Sequence, residues 1–329
     1  MVDNVAYASL AADGTLAYRL PGNTVEGKLV AVTRQGAISE PDPTWRVDFT
    51  PYLVFWQVSP DGSRLAIANR VNGNQDVWVK ELPDGPFRRM TSSPEPERDP
   101  HWSADGLTIT YLSRALGDYD IWRLSAAGGG EPELVYQHEN VGLTQVVPVP
   151  GSERYLIRTS GTVGRSRDLY EVDLASHDTA KALLASPFEE MAPALSPDGR
   201  WLAYVSDRSG RDEVFVRPYP NVMSYEIQIS VEGGWGPRWS RDGSELFFVA
   251  DPEGSEPTMT AAKIDAGGQI PTVSRERLFR VGPDLYSLAE SGFFDVDAEG
   301  RFWMLRLTSR PDVVVVFNFH EELERLVPN

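Results

Sequence analysis

Four polar residues occupy one equivalent place in this chain. Gln57, His101, Arg238 and Asp295 each stand five residues before a turn glycine, at Gly62, Gly106, Gly243 and Gly300. Polar types at one recurring position suit a hydrated, hydrogen-bonded channel wall better than an acid–base pair. Asp295 and Gln57 could also offer oxygen to a hard cation such as calcium, which prefers several oxygen ligands. A calcium-dependent hydrolase of the lactonase kind is therefore the alternative reading. It expects bound metal by elemental analysis and activity lost to a chelator.

A second set lies just before the same strands: Pro51-Tyr52, Glu97-Arg98-Asp99, His138-Glu139-Asn140, Phe188-Glu189-Glu190, Gly233-Gly234-Trp235 and Glu290-Ser291. These segments differ from one copy to the next and mix carboxylates, aromatics and one histidine. Tyr52, Arg98, Asp99, His138, Glu139, Glu189, Glu190 and Trp235 are the rim candidates for a peptide, a basic partner segment, a small ligand or a calcium ion. The plainer alternative is a set of solvated polar loops. If the rim binds, truncating Glu189, Glu190 and Trp235 abolishes binding and leaves thermal unfolding nearly unchanged.

Other recurring polar residues read as structural. Asp13, Asp61, Asp105, Asp198 and Asp242 precede the turn glycines, where Asp-Gly is ordinary turn chemistry. Arg70 with Asp76, Arg114 with Asp120 and Arg208 with Glu213 are each spaced to meet across one hairpin as a bidentate pair. Motifs for known catalysis are missing: no G-x-S-x-G elbow, P-loop or kinase HRD/DFG set occurs. The four histidines (His101, His138, His177, His320) show no zinc-ligand spacing, and with no cysteine there is no thiolate site.

The elements that position these residues follow from a repeat. Aligned on the turn glycine, one unit recurs at Gly14, Gly62, Gly106, Gly151, Gly199, Gly243 and Gly300. Four residues before each glycine stand Leu10, Val58, Trp102, Val147, Leu195, Trp239 and Val296, all apolar. After each turn comes a strand apolar on both faces, such as Trp201 to Ser206, as expected of a strand buried between neighbouring sheets. A third strand follows in most copies, with DVWV, DIWR, DLYEV or EVFV. Repeats of about 40–50 residues with four short strands are the signature of a β-propeller blade.

The pattern P-x-[WL]-S-x-D-G…LAY-x-S-x-R…D-[IV]-W-V resembles the WD-like repeats of TolB-type β-propellers. The order SPDGRWLAYVSDRSGRDEVFVRPYP, GPRWSRDGSELFFVA and FFDVDAEGRFWML, with the closing NFHEELERLVPN, is similar to the propeller domain of bacterial receptor-type serine/threonine kinases. The resemblance spans roughly residues 5 to 327. It implies an all-β propeller, a sensor or interaction role and an extracytoplasmic or periplasmic place. It departs at the fourth unit, which has Val-Pro-Gly, and at the first, which lacks the proline and the tryptophan. Fold likeness of this kind says little about activity.

Seven units predict seven blades in a single domain over 1–329, at about 1–40, 54–91, 99–136, 143–185, 192–229, 236–279 and 292–318. Six is the alternative if the first or the last unit is incomplete, since no fourth strand is evident in the seventh. Glu40 to Tyr52 reads as a surface connection, and 319–327 as a short helix capped by Asn318 with Glu321 three residues on. A net charge of −17 argues against nucleic acid, whose phosphates need clustered Lys and Arg. No apolar run is long enough to span a bilayer, and the first residues lack the basic and apolar regions of a signal peptide. The expectation is a non-catalytic propeller that binds a protein, a peptide or a small molecule, on a chain that begins as an excised domain would.

Overall fold

A computed structural model describes residues 7–10, 15–19, 25–49, 55–138, 142–159, 167–175, 180–253, 255–267, 271–285, 294–308 and 313–316. Every regular element among them is a β-strand. Four-stranded antiparallel sheets follow one another along the chain, each a consecutive meander. Blade I holds Trp56–Val58, Arg64–Val71, Asn74–Glu81 and Phe87–Arg89. Blade II holds Glu97–Trp102, Thr108–Ser113, Asp120–Ser125 and Glu133–Tyr136. Blade III holds Leu143–Pro148, Arg154–Thr159, Leu169–Asp173 and Lys181–Leu184. Blade IV holds Glu190–Leu195, Trp201–Ser206, Glu213–Pro218 and Ile227–Gln228. Blade V holds Gly234–Trp239, Leu246–Ala250, Thr258–Asp265 and Thr272–Arg280.

The sixth blade corrects the expectation of seven. Phe294–Val296 and Phe302–Leu307 form its inner half, and Val25–Val32 with Ile38–Ser39 form its outer half. Phe302–Leu307 pairs antiparallel with Val25–Val32 from Phe302↔Val32 to Leu307↔Gly27. The last unit thus lacks its own outer strands, and the first supplies them, so the ring closes by hydrogen bonds between the two ends of the chain. A propeller left open would expose unpaired strand edges, which closure removes. The hairpin of the first unit, Tyr7–Leu10 with Leu16–Arg19, is left over. It forms a separate three-stranded sheet with Val313–Val316, the segment expected to continue the seventh blade.

The expected surface connection is partly core. Trp45 and Val47 are buried, and Val47–Phe49 pairs with Val25–Val32. Lys80 reaches Asp42 at 2.7 Å with only 3% of its side chain exposed, and lies over the Trp45 ring. That bond holds the Asp42 carboxyl well below the usual carboxylate range. The expected helix over 319–327 lies outside the described residues.

The second strands behave as their composition dictates. Leu65 to Ala68 and Leu202 to Val205 are buried on both faces, packed between neighbouring blades. The Asp-Gly turns are turn chemistry: Ser59, Ser103, Ser196 and Ser240 each donate through Oγ to Asp61, Asp105, Asp198 and Asp242. The same four serine oxygens accept a backbone N–H at, or one residue before, the start of the next strand. These bonds pull Asp61 and Asp242 down to about 2. The glycines supply φ near +70°, where a Cβ is strained.

Candidate functional site: the channel cavity

The inner strands are bulged. Register shifts fall between Arg98 and His101, Met191 and Ala194, and Trp235 and Arg238. Seven residues before the turn glycine, Asp99, Ala192 and Gly236 take φ of 54°, 49° and 66°. Such bulges bend a strand and re-aim the side chains around them. Here Asp99 is turned towards the next blade, where it accepts from the Val146 N–H at 2.7 Å.

That bond belongs to a series. Asp295 of blade VI accepts from Val58 N–H of blade I at 2.8 Å. Gln57 Oε1 of blade I accepts from Trp102 N–H of blade II at 2.8 Å. Gln145 Oε1 of blade III accepts from Ala192 N–H of blade IV at 3.2 Å. Each clasp satisfies an inner-strand amide that the neighbouring blade would otherwise bury unpaired, at a cost of about 1–3 kcal/mol per group. Arg241 adds a cross-tie, donating to the carbonyls of Val296 and Val58 and to Asp295 at 3.0 Å. The Trp102 and Trp239 indoles donate to the carbonyls of Gln57 and Ala194.

Inside this ring lies a cavity of about 1010 Å³, lined by residues from all six blades. Gln57, His101, Arg238 and Asp295, the four matched in sequence, all line it. So do turn residues, among them Asp105, Pro197 and Arg241, which places it towards the Asp-Gly end of the inner strands. Its apolar wall includes Trp102, Trp239 and several prolines. His101 Nε2 sits 3.1 Å from Asp99. Arg123 is paired with Glu153 and Glu133. Burial lowers the pKa of the Arg238 guanidinium, partly offset by the field of Asp295 and Asp99, and arginine keeps its charge in such surroundings.

The rim candidates among the described residues are not part of this cavity. Arg98 donates to the Leu143 carbonyl and stacks 3.8 Å from the Tyr119 ring centroid. His138 donates its backbone N–H to Asp120, and its ring meets Tyr136 edge-on. Glu189 receives Arg158 at 3.4 Å and Glu190 receives Ser186. Glu190 and Trp235 are buried, so their truncation disturbs packing, contrary to the unchanged unfolding expected of a solvated rim. Tyr52 and Glu139 lie outside the described residues.

Acids recur between blades at this end. Asp76 takes Arg89 at 2.8 Å, and Glu213 takes the Ser230 hydroxyl and Gly233 N–H. Asp120 and Glu190 are buried in comparable places. One oxygen each of Asp76, Glu97, Asp120 and Glu190 has no hydrogen-bond partner among the described residues. Burial, reinforced by Asp76, raises Glu97 to about 7. The expected Arg208–Glu213 pair is replaced: Arg208 pairs with Glu226 and stacks on Phe215. Arg114 donates to the Gly117 carbonyl.

A metal fares poorly on the donor set. Both Asp295 oxygens already accept protein N–H groups, as does the Gln57 carbonyl. Among the described residues no group of three His, Asp or Glu gathers in metal-binding range. Sequence reasoning missed Arg241, Arg123 and the proline-lined end of the cavity. Arg241 was legible, because SRDG puts arginine where the sister turns have Pro60, Ala104 and Pro197.

This arrangement defines a six-bladed β-propeller with a walled central cavity. Comparison with known proteins makes it TolB-like in fold. A putative TolB from Agrobacterium tumefaciens superposes with a TM-score of 0.61 at 19% identity, over 88% of this chain and 100% of that one. An oligogalacturonate lyase from Vibrio parahaemolyticus matches at 0.53 and 12% identity, over 90% of this chain and 76% of that one. In sequence, a TolB homolog of Chlorobium luteolum is 25% identical over 55% of this chain. The uncharacterized peptidase YuxL of Bacillus subtilis is 24% identical over 48% of it. The chain spans 29% and 30% of the lengths of these two relatives. No family model matches. No helix among the described residues is long and apolar enough to cross a membrane.

Proposed function

We propose that this chain is a non-catalytic binding propeller that takes a small ligand, or the end of a peptide, in the central cavity. One observation carries the reading: the residues that line the cavity differ from blade to blade, whereas the buried positions around it repeat. Repetition is what a shared scaffold needs, and differences at one concave, mostly rigid place are what recognition needs. TolB-like structural likeness supports a binding role, and the sequence likeness to receptor-kinase propellers supports an extracytoplasmic sensor domain. The test is a fragment-library screen by thermal shift on the whole chain, repeated on Ala104→Trp, which puts bulk on the cavity lining at an exposed turn. Stabilising hits that vanish in Ala104→Trp support the proposal; hits that persist, or none at all, count against it.

The competing reading, a hydrolase or lyase, draws on the peptidase and lyase names among the similar proteins. Elemental analysis of the purified chain decides its metal-dependent form, which requires calcium or a transition metal bound in stoichiometric amount.

A further inference from the structure

The cavity wall has an asymmetry in its hydrogen-bond capacity. On the inner strands the side-chain acceptors are engaged: Asp295 holds Val58, Val296 and Arg241, and the Gln57 carbonyl holds Trp102 N–H. The two carboxylates in the turns each have one oxygen engaged, Asp105 Oδ1 by Ser103 and Leu107 and Glu153 Oε2 by Arg123. The donors are not. Because Gln57 Oε1 takes the Trp102 amide, its Nε2 amino group has no partner among the described residues. The Arg238 guanidinium donates once, from one terminal nitrogen to the Pro237 carbonyl at 2.9 Å. Of the arginines lining the cavity, Arg123 and Arg241 are in ion pairs, and Arg238 has no carboxylate within ion-pair distance among the described residues. A chain of net charge −17 therefore keeps an arginine without an ion-pair partner in the wall of its channel cavity.

An unpaired guanidinium drawn into a cavity loses hydration that a planar, two-oxygen acceptor restores best, since its fork of N–H groups matches a carboxylate bidentately. We propose that the cavity binds a carboxylate-bearing ligand, with Arg238 gripping the carboxylate and the Gln57 amino group a further donor in the same cavity. This rests on the reading of the cavity as the binding site. The acid can belong to a small organic acid or to the terminal carboxylate of a peptide; the chemistry at Arg238 is the same.

The test follows the arginine Nε–Hε signals of the ¹⁵N-labelled whole chain, with the Arg238 signal assigned by its loss in Arg238→Gln. Sodium acetate is titrated against sodium chloride at matched ionic strength. The expected result is a saturable shift of the Arg238 signal with acetate and none with chloride. Trigalacturonate against its methyl ester, and triglycine against its C-terminal amide, then separate the two sources. Tighter binding by the free acid of one pair names it. No saturable shift with acetate, or an equal one with chloride, overturns the proposal. Arg238→Lys keeps the charge and loses the fork, and is expected to weaken the acetate response at least tenfold with thermal unfolding unchanged; an equal response there also overturns the bidentate grip. A neutral fragment that binds the wild type and Arg238→Gln alike, and is lost in Ala104→Trp, would leave the binding cavity standing while the carboxylate chemistry falls.

Discussion

The two ends of the inner strands do different work with similar residues. At the end where the strands begin, Glu97, Glu190 and Trp235 are buried between blades. At the Asp-Gly end, Gln57, His101, Arg238 and Asp295 face a shared cavity, and donors are left over. Polarity alone does not distinguish the ends. What separates them is what is left over: buried carboxylate oxygens between blades at the first end, and donor groups facing a shared cavity at the second.

Several substitutions sharpen this contrast. Phe302→Ala, in the strand through which the chain ends close the ring, removes a fully buried ring that packs against Phe247, Phe279 and Phe294. It is expected to cost about 3–5 kcal/mol in denaturant unfolding. Asp295→Ala frees Val58 N–H and strands Arg241, so a loss of about 3 kcal/mol is expected. A negligible loss there would mean that the inter-blade clasp is not structural.

The begin-end acids give a pH test. Glu97 is raised in the folded state, so the folded chain keeps its proton where the unfolded chain has lost it. Its contribution is fully present below the ordinary glutamate pKa and is lost as pH rises through about 7. Glu97→Gln removes that loss. Relative to wild type the variant is expected to gain stability steadily between pH 4.5 and pH 7. The gain reaches at most about 3 kcal/mol, because each tenfold difference in proton affinity between the folded and unfolded chain is worth about 1.4 kcal/mol. A gain that is flat with pH would contradict burial as the cause. Smallest of all, Ala192→Gly relieves a left-handed φ of 49° and is expected to add about 0.5–1 kcal/mol by thermal unfolding.

Much of this architecture is legible in the residues alone. The turn glycines with the apolar residue four positions earlier locate every inner strand, and the doubly apolar second strands mark the buried layers. Counting units as blades is where that reading fails. A repeat shows that strands exist, but which partner an end strand chooses depends on the other end of the chain, as Val25–Val32 does with Phe302–Leu307. The four matched polar residues are correctly grouped by their spacing. The burial of the opposite rim is illegible for a related reason: Glu190 and Trp235 look solvent-seeking or ligand-seeking in sequence, and only the neighbouring blade makes them interior.

Three indoles make the ends separately visible. Trp102 and Trp239 line the cavity, while Trp235 lies at the opposite end of its strand. The decisive measurement is an indole N–H spectrum of the ¹⁵N-labelled chain during titration with a cavity-directed fragment from the thermal-shift screen. Shifts at Trp102 and Trp239 with Trp235 unmoved are the predicted result. Shifts confined to Trp235 would place recognition at the rim and contradict the account.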